Sequence, residues 1–203
     1  MKSAILITSY FPPIYYFFII KQYDQIYIDL TEEYKRQTLR NRCYILTANG
    51  LLALTVPVKH PINNFTKDIM IDYSKNWINN HINSIKSAYG KSPYFYHLKD
   101  LIFPTLLKKY KFLVDLNNEI IFEISKFLNL ETNKIKFLYN KNELNLLKFN
   151  VDFRKIFSTK KFFNLPIVHK EYLQVFSDKF GFIPNLSIID LIFCCGKEAF
   201  FYF

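Results

Sequence analysis

Glycine is scarce: four residues in 203. A phosphate loop built on glycine needs several of them in a short stretch, and neither a GxGxxG pattern nor a P-loop occurs. Cysteine is nearly as rare, at Cys43, Cys194 and Cys195. An odd count with two adjacent residues makes no disulfide framework, which points to a reducing, cytosolic compartment. No CxxC pair or HxxxH spacing offers a zinc ligand set, so no metal site is expected. Long apolar runs are missing as well. Ala4 to Ile20 is uncharged and follows Lys2, but Pro12-Pro13 cuts it and no small-residue cleavage site follows. This reads as strand, turn and helix rather than as a signal peptide or transmembrane segment.

What is abundant is apolar and basic. Half the residues are hydrophobic, 19% are aromatic, and the formal net charge is +10. The first two figures argue for a packed core. The third favours anionic partners such as nucleotides and phosphorylated sugars, with a solvated lysine-rich surface as the plain alternative. No basic block is longer than a pair, as at Lys108-Lys109 and Lys160-Lys161.

The order of elements predicts a single α/β domain over 1–203. Its sheet-rich part covers about 1–75 and its helix-rich part about 76–203. "AILITSY" (Ala4–Tyr10) has the β-branched apolar pattern of a buried strand. Pro13 then opens a helix through "IYYFFIIKQY", and "QIYIDL" (Gln25–Leu30) is a second strand. Such a βαβ unit implies parallel strands at the start of a mixed sheet. This opening is similar to that of nucleotidylyltransferase-type domains, although their HxGH motif is replaced here by Ile14-Tyr15-Tyr16-Phe17.

Further on, "CYILTANGLLALTVPV" predicts a hairpin turning at Ala48-Asn49-Gly50, and "DIMID" (Asp68–Asp72) a short strand. Ile78, Ile82, Ile85 and Tyr89 form the apolar stripe of a helix that Gly90 stops. Ser92-Pro93 caps a following helix, Pro104 interrupts it, and an amphipathic pattern continues to about Leu130. Asn129–Asn150 is expected to be a mobile connection or a peripheral strand. Gly181–Gly196 reads as a loop and an apolar helix, with Ser187 and Asp190 as its capping box. Cys194 and Cys195 sit on that helix as core residues.

Two residues have the chemistry of a site. Cys43 follows Arg-Asn-Arg, and a thiolate near guanidinium groups is a better nucleophile at neutral pH. On strand spacing, however, Arg42 faces away from Cys43, and free cysteine is among the most buried residue types. Both readings stand on spacing alone. His81 lies at the rim of the isoleucine stripe, one turn after Trp77, where a general base or a capping histidine would sit. Around Cys43 gather Lys35, Arg36, Gln37, Arg40, Asn41 and Arg42, residue types that suit a phosphate cradle.

"YFPPIYYF" (Tyr10–Phe17), "YKRQTLRNRCYI" (Tyr34–Ile45), "VPV" (Val56–Val58), the run from Trp77 through His81 to "AYGKSPYF" (Ala88–Phe95), and "GFIPNLSIIDLIF" (Gly181–Phe193) occur in this order. Together they resemble the WbqC-like protein family of bacterial surface-polysaccharide and O-antigen clusters, leaving about 106–164 uncovered. The resemblance implies a cytoplasmic transferase of lipopolysaccharide precursor biosynthesis. It would move an acyl or aminoacyl group onto the amine of a nucleotide-linked amino sugar. In that scheme Cys43 takes the acyl group and His81 accepts the amine proton. Gln37, Arg40, Asn41, Arg42, Trp77, Lys86 and Tyr89 bind the substrate. No intrinsic cofactor is implied. The co-substrate is an acyl-carrier thioester or another activated acyl donor, which makes an acyl carrier protein a candidate partner. The alternatives are a non-catalytic sugar-nucleotide-binding or scaffold protein of the same pathway and, third, a basic nucleic-acid binder. No RNA- or DNA-binding motif supports the last, so no stable nucleic-acid partner is expected.

Overall fold

The structure, a computed structural model, describes residues 1–59, 63–157 and 170–203. The Lys160-Lys161 pair lies outside them. The fold is α/β. Four parallel strands form one sheet in the order β5-β2-β1-β6, and a separate antiparallel hairpin, β3-β4, stands beside it. The helical residues concentrate after the hairpin.

β1 (Ser3–Ile7) is buried along its whole length, as an unbroken apolar run in a parallel sheet should be. α1 (Ile14–Gln22) carries the chain back to β2 (Gln25–Asp29), which pairs in parallel from Ser3↔Gln25 to Ile7↔Asp29. Pro13 is the N-cap of α1, its fixed φ of −65° preparing the first turn.

The link between β1 and α1 is clamped from two sides. Tyr10 N–H donates to the Leu39 carbonyl, and Ser187 Oγ donates to the Phe11 carbonyl. Ile14 and Ile188 N–H complete the clamp through the carbonyls of Leu186 and Pro12. Phe11 is held at φ 37°, a left-handed conformation that costs a bulky residue about 1 kcal/mol or more.

β3 (Arg42–Thr47) and β4 (Gly50–Thr55) form the expected hairpin, with Gly50 supplying the positive φ of 99° at the turn. "DIMID" is not a strand. It forms a 3₁₀ turn over Thr66–Asp68 and then touches two neighbours by single bridges, Val58–Ile71 and Met70–Phe112. Backbone hydrogen bonds tie it to both sides, from Lys59 N–H to the Met70 carbonyl and from Leu113 N–H to the Ile69 carbonyl, but the pairing stops at one bridge on each.

α2 (Trp77–Tyr89) follows. α3 (Phe95–Leu107) contains Pro104 and continues beyond it. Its missing N–H would have met the carbonyl of Asp100, an exposed residue. The break comes instead at 108–112, before α4 (Leu113–Phe127).

Asn129–Asn150 supplies a peripheral strand, β5 (Ile135–Leu138), which pairs with β2, and a short helix, α5 (Lys141–Leu146). β6 (Val151–Asp152) closes the other edge against β1, and α6 (Arg154–Phe157) follows at once. Residues 135–152 thus complete a sheet begun by residues 3–29. After α7 (Ser177–Phe180), α8 (Ile188–Cys195) is fully buried and packs on α1, α3 and β3. Among the described residues no helix is long and apolar enough to cross a membrane.

All four strands of the parallel sheet end at one edge. There Asn117 of α4, 0% exposed, donates Nδ2 to Thr8 Oγ1 at 3.2 Å and to the Arg40 carbonyl at 2.8 Å. Asn117→Ala leaves that buried carbonyl unpaired, and denaturant titration should show a stability loss of about 1–3 kcal/mol.

Candidate functional site at the C-terminal edge of the sheet

In an open parallel sheet, ligands settle beyond the carboxyl ends of the strands where the strand order reverses. Here the chain leaves β1 for β2 on one side and later places β6 on the other. A cleft of about 280 Å³ opens at this edge, lined by Glu32, Glu33, Lys35, Arg40, Arg154 and Lys155.

The strand ends build one wall. Asp29, at the end of β2 and 1% exposed, accepts from Thr31 N–H and Oγ1 on Oδ1. Its Oδ2 accepts from Arg154 Nη1 at 2.7 Å. Asp152, at the end of β6, also accepts from Arg154, through Nη2 at 2.7 Å and Nε at 3.1 Å. Burial tends to raise the Asp152 carboxyl, but the hydrogen bonds and charge of Arg154 outweigh it and hold the group below its ordinary range. The hydrogen bonds it donates to Asp152 lift Arg154, so its guanidinium stays charged.

Arg40 builds the facing wall. Its side chain is 1% exposed and donates Nε and Nη2 to Glu32 Oε1 at 2.8 and 2.5 Å, and Nη1 to Thr38 Oγ1 at 3.2 Å. Burial raises the Glu32 carboxyl above the usual range, with Arg40 opposing the shift. Lys35, Lys155 and Glu33 are exposed at the mouth. Four cations and two carboxylates therefore line one small cleft. Among the described residues no group of three His, Cys, Asp or Glu side chains is placed to hold a metal ion.

Cys43 and His81 belong to a different environment. Cys43 is 1% exposed, and burial pushes its thiol far up, relieved in part by a hydrogen bond with Ser187. The guanidinium groups that were to activate it are engaged elsewhere: Arg40 on Glu32, and Arg42 through Nε on Thr55 Oγ1 at 2.8 Å. His81 is inside the buried face of α2, not at its rim. Its Nδ1 meets the Tyr10 hydroxyl at 2.9 Å, and it makes a hydrogen bond to the backbone of Thr55. Burial lowers its pKa to about 4, so the ring is neutral at pH 7. The Tyr10 hydroxyl is raised by its own burial and then by the neighbouring Cys43. Cys43 and His81 thus both flank Tyr10, in a neutral cluster that the Trp77 ring covers edge-on at 5.1 Å from His81.

The remaining sequence-derived residues are scattered. Gln37 is exposed at φ 56°, and Asn41 donates Nδ2 to the Val56 carbonyl. Lys86 is exposed on α2, its Nζ 5.7 Å from the Phe103 ring centre. Tyr89 is buried and donates its hydroxyl to Asp190 Oδ1 at 2.8 Å. Asp190 is not half of a capping box: Ser187 makes no side-chain cap and Asp190 also accepts from Tyr172 at 2.6 Å. The buried tyrosines compete successfully for the carboxylate.

Of the residues singled out for a phosphate cradle, substrate or catalysis, Lys35 and Arg40 line the cleft. Glu32, Glu33, Arg154 and Lys155 were missed. The available signal was an acid closing each of two short strands, "QIYID" and "VD", with an arginine two residues after the second.

The fold and its charged edge define an α/β protein with a small polar cleft at the switch point of a parallel sheet. The chain belongs to the WbqC-like protein family, whose model matches residues 8–166. That match runs through 106–164, which the quoted motifs leave bare. A Mycobacterium tuberculosis protein described as uncharacterized protein Rv1507c is 25% identical over 224 residues, covering 98% of this chain and 95% of its own. No solved structure matches.

Two measurements check the buried cluster. His81 binds its proton less tightly folded than unfolded, so its contribution to stability is complete above the unfolded pKa of 6.5. It is lost as pH falls toward 4. Denaturation at pH 7 and pH 4 should therefore differ by roughly 3 kcal/mol more in the wild type than in His81→Phe. Native Cys43 should resist iodoacetamide and become alkylated only on unfolding, as peptide mass mapping would show.

Proposed function

We propose that the protein is a transferase of surface-polysaccharide precursor biosynthesis, binding a nucleotide-linked amino sugar at the C-terminal edge of its parallel sheet. The observation that carries this reading is the cleft lined by Lys35, Arg40, Arg154 and Lys155. The exposed Lys35 and Lys155 ammonium groups match phosphate oxygens, with the Arg40 and Arg154 charges held behind them by carboxylates, and the switch point of an α/β sheet is where such ligands bind. The surface-polysaccharide pathway and a cytoplasmic setting are part of this proposal, and membership of the WbqC-like family supports it.

The reaction proposed is acyl or aminoacyl transfer. The sugar amine attacks the carbonyl carbon of an acyl thioester, the C–N bond forms, and the C–S bond breaks. The amine proton leaves to the released thiolate through a base. The buried, protonated thiol of Cys43 favours this direct route over an acyl-cysteine intermediate. A non-catalytic sugar-nucleotide-binding protein is the second reading, favoured by the same burial of Cys43 and His81.

Calorimetric titration with UDP-, dTDP-, GDP- and CMP-linked sugars tests the binding. Lys35→Ala/Lys155→Ala should weaken the best ligand about tenfold or more through lost charge-assisted hydrogen bonds. It should leave the melting temperature unchanged, because both lysines are exposed. Mass-spectrometric detection of acylated sugar from a thioester donor separates the transferase from the binder.

A further inference from the structure

A cleft serving phosphate alone has no use for carboxylates, yet two of its six lining residues are acids. Arg154 is already matched by Asp29 and Asp152 behind it. Glu32 differs from those two. Arg40 takes only its Oε1, by both Nε and Nη2, which leaves Oε2 outside the ion pair. The side chain is 18% exposed in the cleft wall, and Glu33 beside it is exposed at the mouth.

The cleft is thus amphoteric, with cations at Lys35, Lys155 and Arg154 and carboxylate oxygens at Glu32 and Glu33. A ligand that complements both carries phosphate and ammonium on one small frame. At about 280 Å³ the space lies at the low end of small-molecule sites and suits a hexose phosphate. A nucleoside would extend beyond it.

We infer that Glu32, through Oε2, is the specificity-determining residue that recognises the free ammonium of an amino-sugar phosphate. This rests on the function proposed above and adds to it the charge state in which the sugar is taken; the bound ammonium gives up one proton to solvent before the neutral amine attacks. Glu32 is deep enough to feel burial, so a cation brought beside it offsets a cost the carboxylate already bears. An N-acylated sugar presents a neutral amide in place of the ammonium and forfeits this contact. The same residue therefore separates acceptor from product.

The test is calorimetric binding of glucosamine 1-phosphate, glucose 1-phosphate and N-acetylglucosamine 1-phosphate to the full chain, below the pKa of the amine. Glucosamine 1-phosphate should bind about tenfold or more tightly than the other two. In Glu32→Gln, which keeps an oxygen for Arg40, the advantage should shrink to about twofold or less. Should that variant fail to fold, the wild type decides: raising the pH through the pKa of the amine must erase the preference. Equal affinities for the three phosphates, or a preference untouched by Glu32→Gln or by pH, overturn the inference and leave phosphate recognition standing. If none binds while nucleotide sugars do, the inference falls and the proposed function survives. If nucleotide sugars fail as well, both fall.

Discussion

The Arg40–Glu32 ion pair is the contact on which the arrangement of the site depends. A guanidinium only 1% exposed loses nearly all its hydration, and Glu32 and Thr38 replace it by accepting three hydrogen bonds from Arg40. Removing one partner of such a buried pair typically costs about 3–5 kcal/mol, because the other charge is left uncompensated. The consequences reach beyond the pair. Asn117 holds the Arg40 carbonyl, and Leu39 holds Tyr10, so the segment before β3 is pinned to the exit of β1 and to α4. The Arg40 side chain therefore shapes the cleft wall, while the backbone carbonyls of Leu39 and Arg40 anchor the same segment to Tyr10 and α4.

The pair also decides what Cys43 is. An arginine turned toward a carboxylate in the cleft cannot stabilise a thiolate in the core. The molecule keeps two polar clusters apart: a charged one open to water, and a dry, neutral one made of Cys43, Tyr10 and His81. The second resembles a catalytic set in residue types, yet its protonation states are those of satisfied core residues. Its members are satisfied by packing and hydrogen bonding. The solvent-facing cations of the molecule's cleft lie in the first.

Much of the fold was legible because the physics was local. The run "AILI", the proline before α1 and the turn at Gly50 each act within a few residues. What could not be read depended on distant partners. β5 and β6 are short, and their pairing with β2 and β1 spans more than a hundred residues. The same distance hid Arg154, which matters because β6 delivers it beside Asp29. Asp190 resembled a cap until Tyr89 and Tyr172, far apart in sequence, proved to be its partners. Strand parity correctly turned Arg42 away from Cys43, but spacing had no means of finding Glu32 as the partner of Arg40.

The late arrival of β6 also sets an order of assembly. β1, α1 and β2 close over fewer than thirty residues, whereas Ala4↔Val151 must close a loop of about 147 residues. Loops of that length carry the largest entropic cost and close slowly. The cleft then comes into being with the last strand to dock, when Arg154 reaches Asp29. A chain caught before that step has its central strands but lacks the cleft wall that Arg154 forms with Asp29 and Asp152.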